Sequence, residues 1–179
     1  MLTLQGIRRL SQFDQIGFLF FDASRKGFWR SFGAALICLP VWALLEYAHI
    51  RRVDHDVAHF IAMQSIAFVM SWLAYPMVVL LVADMFGAWP NYYRYMVSYN
   101  WFQPLMQLMW LPVELFEFLP GGETSPIPGL LALVIMAVQG VYGWFLARYG
   151  LCVSSSTALA LTVLDVGLGL LIVRIATEL

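Results

Sequence analysis

The chain has 179 residues, of which 61% are hydrophobic and 12% are charged, and its formal net charge is −1 at pH 7. A soluble domain has about 45–50% apolar residues and about a quarter charged ones, so this composition indicates that lipid is the main solvent. The near-neutral charge gives no basic footprint for a nucleic acid partner. The composition therefore predicts an all-α polytopic membrane protein whose first partner is the lipid bilayer.

The first 31 residues are predicted to form a cytoplasmic segment at the membrane surface. Apolar side chains recur every three residues at Leu4, Ile7, Leu10, Phe13 and Ile16, which favours an amphipathic helix lying in the interface. The apolar run FLFF is too short for a cleavable signal peptide. An alternative is that this segment packs against the helix bundle and binds no lipid specifically. The candidates for contact with anionic headgroups are Arg8, Arg9, Arg25, Lys26 and Arg30.

Five apolar stretches follow that are long enough to cross a membrane, since a spanning helix needs about 20 mostly apolar residues. They lie near residues 32–50, 57–83, 95–119, 127–147 and 157–173, so residues 32–179 form the predicted transmembrane domain. Seven of the ten Lys and Arg residues fall on the side of the N-terminus. This asymmetry predicts a cytoplasmic N-terminus and a periplasmic C-terminus in a bacterial inner membrane.

Histidines and carboxylates cluster around the linker that follows the first stretch, at His49, Asp54, His55, Asp56 and His59. If the second helix begins early, His55 and His59 share a face at i, i+4, the spacing by which helices present two imidazoles to zinc. The alternative is a solvated loop, because no Glu follows the first His as in the HExxH motif.

Polar side chains recur at a similar depth in the last three predicted spans. Asp165 lies roughly 12 Å into the fifth span at about 1.5 Å per residue, and Gln103 and Gln139 reach a similar level in theirs. Asn100, Gln103 and Gln107 share one face of the third span because they stand at i, i+3 and i+7. Since polar groups are costly in lipid, these five residues form a predicted intramembrane polar layer.

Three prolines, Pro40, Pro76 and Pro104, lie near the same level in the first three spans. A proline inside a helix frees the backbone carbonyl one turn earlier. In lipid such carbonyls need donors, which the amides of the polar layer can supply.

Asp165 admits two interpretations. It is either a protonatable group on a proton or ion path, or a buried carboxyl that Gln103 or Gln139 hydrogen-bonds to fix the helix register. Small and polar residues recur around it at Ala158, Thr162 and Gly169, and this stripe is the predicted packing face of the fifth span.

Common enzyme signatures are absent from the sequence, which has no Gly-rich phosphate loop and no G-x-S-x-G elbow. The run SSST at 154–157 is predicted to cap the fifth span. All three histidines lie toward one end, so facing haem ligands are not expected. The two cysteines, Cys38 and Cys152, are far apart and give no disulfide framework. No catalytic residue and no cofactor is therefore predicted.

Short motifs accompany this five-helix plan: FDASRKGFWRSF before and into the first span, YNWF at 99–102 and LPGG at 119–122. In order and motifs the chain resembles the Yip1-type five-helix membrane proteins, in particular small bacterial ones. The resemblance implies a five-helix fold over nearly the whole chain. The eukaryotic family is associated with vesicle trafficking and with small-GTPase binding through a DLYGP-type motif that this sequence does not contain, so no functional residue is carried over.

The lack of a catalytic set favours a non-enzymatic function. The leading expectation is a scaffold or accessory subunit that contacts a membrane-protein partner or a second copy of itself. The alternative is a transporter or channel component in which the polar layer around Asp165 lines a path. A metal-dependent enzyme at the outer face is a third hypothesis, which depends on His55 and His59.

Overall fold

The computed structural model describes residues 2–50, 56–119 and 125–178, and within these ranges all regular structure is helical. Two short 3-10 helices, Gln15–Phe20 and Trp89–Asn91, accompany the α-helices. The α-helices are α1 (Leu2–Leu10), α2 (Arg25–Ser31), α3 (Gly33–Ile50), α4 (Val57–Met85), α5 (Tyr92–Glu117), α6 (Ile127–Gly150) and α7 (Ser155–Glu178).

Four of the described helical segments are long and apolar enough to cross a membrane, as expected for a multi-pass membrane protein. They are Arg25–Ile50, Val57–Met85, Ile127–Gly150 and Ser155–Thr177. Each of the five predicted stretches corresponds to one of the helices α3 to α7, with ends that agree within five residues. Helix α5 is absent from the four because Arg94, Asn100, Gln103 and Gln107 lower its hydropathy.

The five long helices form a closed ring in the order α3, α4, α7, α6, α5, in which α5 returns to α3. Helix α5 also contacts α1 and α2, so it has more helical neighbours than any other described helix. Contact between α3 and α4 is the sparsest around the ring. The least apolar long helix is therefore the one that the rest of the chain encloses, because lipid is a poor solvent for its amides.

One end of the ring is tightly packed, and we call it the basal end. Here α3, α5 and α7 begin, α4 and α6 end, and the N-terminal segment lies against the bundle. We call the opposite end, which holds few of the buried core residues, the open end. Tyr95 and Phe102 are 1% and 2% exposed within the aromatic core of the basal end. Gly150 lets α6 approach α5 closely, since an added Cβ would lie 2.9 Å from the Tyr95 ring.

Side chains at the start of α5, and Asn91 just before it, donate hydrogen bonds to the turn between α6 and α7 at the basal end. The Arg94 guanidinium donates to the carbonyls of Gly150 and Tyr149, at 2.9 Å and 3.2 Å from Nη2. Asn91 Nδ2 donates to the carbonyl of Leu151 at 3.2 Å. The carbonyls left free at the end of α6 thus find donors inside the protein. Helix α7 then begins as predicted from SSST, with Ser154 Oγ accepting from the backbone N–H of Thr157 at 3.1 Å.

The N-terminal segment departs from the single helix predicted for it. Helix α1 ends at Leu10, and Phe13 adopts a left-handed conformation with φ of 58°. This turn stacks the Phe13 ring on Tyr142 of α6 with 4.6 Å between centroids. Asp14 then caps the 3-10 helix by accepting from the backbone N–H of Ile16. The three-residue period did not predict this break in the helix. It cannot show that the Phe13 ring contacts an aromatic ring of the bundle.

Helix α2 depends on a glycine where the chain folds back on itself. An added Cβ at Gly27 would lie 1.8 Å from the carbonyl oxygen of Asp22, whereas one at Gly140 in α6 would meet nothing within 4 Å. Ser24 Oγ also caps α2 by accepting from the N–H of Gly27 at 3.0 Å, so the backbone has little room to yield.

We expect Gly27→Ala to destabilise the protein by about 1–3 kcal/mol, as overpacking does. Gly140→Ala is the matched control and is expected to be neutral or to stabilise by up to about 1 kcal/mol, because alanine is the better helix former. Tm in detergent micelles, followed by tryptophan fluorescence, measures both. Equal Tm values for the two variants would contradict the close approach at Gly27.

Candidate functional site

A cavity of about 510 Å³ lies inside the helix ring, and all five long helices line it. Its wall begins at Tyr75 and Tyr99 and continues toward the open end, where Glu46 and Val173 lie near the ends of α3 and α7. A volume of this size is typical of sites for small molecules. The cavity therefore occupies the half of the bundle that the aromatic core does not fill.

Every residue of the predicted polar layer lies on the wall of this cavity: Asn100, Gln103 and Gln107 from α5, Gln139 from α6 and Asp165 from α7. The three residues of α5 line one wall, as their i, i+3, i+7 spacing predicts. The prolines predicted at the depth of the polar layer, Pro40, Pro76 and Pro104, lie inside continuous helices and do not line the cavity. The structure thus brings the polar side chains together and leaves the prolines outside.

Asp165 is half-buried and accepts a hydrogen bond from the Tyr99 hydroxyl at Oδ1, with 2.7 Å between the oxygens. This partner corrects the expectation that Gln103 or Gln139 would hydrogen-bond the carboxyl. Gln139 Oε1 instead accepts from the Trp110 indole at 3.1 Å, and Gln103 lies beside the Tyr99 hydroxyl. Tyr99 precedes Gln103 by one turn, and its longer side chain reaches across to α7.

The basal floor of the cavity is formed by Tyr75, Tyr99 and the buried amide of Asn100. The hydroxyls of Tyr75 and Tyr95 are 2.7 Å apart, and the Tyr75 and Tyr99 ring centroids are 4.8 Å apart. Asn100, which is 1% exposed, donates from Nδ2 to Ser31 Oγ at 2.8 Å. Hydrogen bonds within the protein therefore occupy the polar groups of the floor. The sequence pattern did not single out these tyrosines, because a tyrosine in an apolar stretch does not show where its hydroxyl points.

The remaining wall includes four further aromatic rings and a second carboxylate. Trp42 of α3 and Phe68 of α4 meet with 4.7 Å between ring centroids, at the contact between those two helices. Glu46 lines the cavity one turn beyond Trp42, and its Oε2 lies 3.9 Å from Nδ1 of His49. Glu46 lies near the end of α3, where a carboxylate can also reach water. Its place on the cavity wall was not apparent from the sequence.

The small-residue stripe of α7 serves two purposes. Ala158 and Thr162 are buried against neighbouring helices, and an added Cβ at Gly143 of α6 would lie 3.0 Å from Thr162. Asp165 and Gly169, further along the stripe, line the cavity instead. The predicted packing face is thus confined to the first turns of the helix.

The histidine pair proposed for zinc does not gain support from the start of α4. That helix begins at Val57, and Asp56 caps it by accepting from the backbone N–H groups of Ala58 and His59 at 3.0 Å and 3.4 Å. The early start on which the helical pairing depends is not observed. His55 lies outside the described residues, and His59 is exposed. Among the residues that the structure describes, no group of three His, Cys, Asp or Glu side chains is placed to hold a metal.

The basic residues of the N-terminal segment lie at the surface of the basal end. Arg8, Arg25, Lys26 and Arg30 are exposed. Arg9 instead donates to Asp14 at 2.6 Å. The N–H of Ile16 and the Arg9 guanidinium hold the pKa of Asp14 below its usual range.

These features define a multi-pass helical membrane protein with an internal cavity. No protein-family model, curated protein or solved structure matches the chain.

We expect the hydrogen bond between Tyr99 and Asp165 to couple α5 to α7. In a double-mutant cycle, Tyr99→Phe and Asp165→Ala should show a coupling of about 0.5–3 kcal/mol in the free energy of unfolding. The matched cycle pairs Tyr99→Phe with Asp84→Ala, an exposed carboxyl at the end of α4, and should be additive within about 0.5 kcal/mol. Additivity in both cycles would rule out the contact. Unfolding in mixed micelles, followed by fluorescence, supplies the four free energies of each cycle.

Proposed function

We propose that this protein is a component of a transporter or channel that binds a small molecule within the membrane. The observation that carries the proposal is the meeting of five polar side chains, from α5, α6 and α7, on one cavity of about 510 Å³. Polar groups in a membrane helix are costly and commonly mark a ligand or ion pathway. A polar wall on an internal cavity suits a polar occupant, and this supports the proposal.

We further propose that α5 crosses the membrane, which gives five spans. Its 26 residues extend about 39 Å at 1.5 Å per residue, more than the hydrocarbon thickness of about 30 Å. Helix α4 ends at the basal end and α6 begins at the open end, so α5 must join the two. Its flanking helices shield its polar side chains from lipid.

The basal end is proposed to face the cytoplasm of a bacterial cell, which places the open end of the cavity on the periplasmic side. The positive-inside rule supports this orientation, since seven basic residues lie at or before the basal ends of the helices: Arg8, Arg9, Arg25, Lys26, Arg30, Arg94 and Arg148. The exposed residues among them are proposed to contact anionic headgroups. Leu2 and Leu4 of α1 are 65% and 71% exposed, which supports an interfacial position for this helix.

The orientation predicts one-sided labelling of Cys152, an exposed thiol at the basal end. A membrane-impermeant maleimide should label it in inside-out vesicles and leave it unlabelled in right-side-out vesicles. Cys152→Ser is the control, because the other cysteine, Cys38, is buried. Labelling of Cys152 only in right-side-out vesicles would reverse the proposed topology.

A scaffold or accessory subunit is the second candidate function. The outward faces of α4 and α7 carry large exposed apolar side chains, among them Leu81, Val163 and Leu171, which lipid, a partner protein or a second copy can cover. The Yip1-type plan is compatible with either function. In this candidate the cavity has no occupant, and the two proposals therefore differ in what remains bound to the purified protein.

Mass spectrometry of the protein in native lipid discs distinguishes the two. For the cavity function we expect a small molecule bound to the wild type, with at least a tenfold lower occupancy in Asp165→Asn and unchanged occupancy in Asp84→Asn. A stoichiometric protein partner, with no small molecule that depends on Asp165, would favour the accessory subunit. Tm of each variant shows whether the protein is still folded.

A further inference from the structure

The charges on the cavity wall are of one sign. Asp165 lies near the floor and Glu46 lies toward the open end, and none of the described residues that line the cavity is Lys, Arg or His. His49 lies beside Glu46 but does not line the cavity. On the described part of the wall an anion would meet two acidic side chains and no basic one, so the charge of this wall favours a cation.

The aromatic wall is suited to the same charge. The rings of Trp42, Phe68, Trp72, Tyr99 and Trp110 all line the cavity. The faces of such rings attract ammonium and guanidinium groups through their quadrupoles, and indole is the strongest of them. These rings also present apolar surface to a hydrocarbon body, so one wall serves both parts of an amphipathic cation.

The two carboxylates lie at different depths. On α3 the cavity wall extends from Cys38, on the basal side, to Glu46. These eight residues of helix correspond to about 12 Å of depth. Asp165, in contrast, lies with Tyr99 near the floor, where the hydrogen bond from Tyr99 engages Oδ1. Glu46 is thus placed to attract a cation toward the open end of the bundle, and Asp165 to hold one at the floor. The amide of Gln103, beside the Tyr99 hydroxyl, adds a polar group close to that position.

We propose that the cavity binds an organic cation, with an ammonium or guanidinium head at Asp165 and a hydrocarbon body along the aromatic wall. This inference rests on the proposed function and adds the chemical class of the ligand. The same chemistry occurs in free amines and in the ammonium headgroup of a phospholipid.

The test compares three matched probes on the purified full-length protein in detergent micelles. They are a phenylalkyl trimethylammonium ion, its neutral isostere with carbon in place of the charged nitrogen, and a phenylalkyl carboxylate of the same length. Tryptophan fluorescence follows binding, since Trp42, Trp72 and Trp110 line the cavity. We expect the cation to bind at least tenfold more tightly than the neutral isostere and the carboxylate to bind more weakly still.

Variants assign this preference to the two carboxylates. Asp165→Asn is expected to lower the affinity for the cation at least tenfold with little effect on the neutral isostere. Glu46→Gln is expected to reduce it less, because Glu46 lies nearer to water. Asp84→Asn is the matched control and should change neither. The comparison of probes uses the wild type alone. It therefore tests the proposal even if Asp165→Asn is unstable.

The outcomes separate the ligand class from the function. Equal binding of the cation and the neutral isostere would overturn the cation and leave a small-molecule cavity, as would preference for the carboxylate. Binding of none of the three probes would overturn both proposals. Competition by phosphatidylethanolamine added to the micelles would identify the bound cation as a lipid headgroup, and its failure to compete would identify a free molecule.

Discussion

The structure depends on one constraint, which is that the amides and hydroxyls of α5 have to be kept from lipid. Asn100 and Ser98 are fully buried, and Gln103 and Gln107 face the cavity. A helix of this composition is stable in a bilayer only if protein surrounds it or if its polar face borders an internal space. The chain meets both conditions, since neighbouring helices enclose α5 at the basal end and the cavity borders it beyond.

This constraint explains why the two ends of the bundle differ. At the basal end, α1 and α2 contact α5 in addition to the ring, and Arg94 and Asn91 satisfy the carbonyls between α6 and α7. Packing and hydrogen bonds, and not hydrophobic exclusion, hold membrane helices together. Toward the open end the corresponding space is the cavity. The same five helices therefore form the tightly packed basal end and, toward the open end, surround the cavity.

Much of this organisation could be predicted from the sequence, because lipid imposes a length and a polarity on each helix. The bounds of α3 to α7 follow from the apolar stretches, and the shared face of Asn100, Gln103 and Gln107 follows from the helical period alone. Tyr99 as the partner of Asp165 could not be predicted, since it depends on how α7 is rotated against α5. Glu46 was missed because counting depth from a helix end does not show which face borders an internal space.

The sparse contact between α3 and α4 gives two of its side chains a double role. Near the basal end, Asn100 of α5 donates to Ser31, the last residue of α2, and the Tyr92 hydroxyl donates to the carbonyl of Pro76 in α4 at 3.1 Å. Between α3 and α4 themselves, the Trp42 and Phe68 rings meet with 4.7 Å between centroids. Both rings also line the cavity. A substitution that shrinks either ring therefore widens the cavity and loosens the weakest helix contact of the ring at the same time.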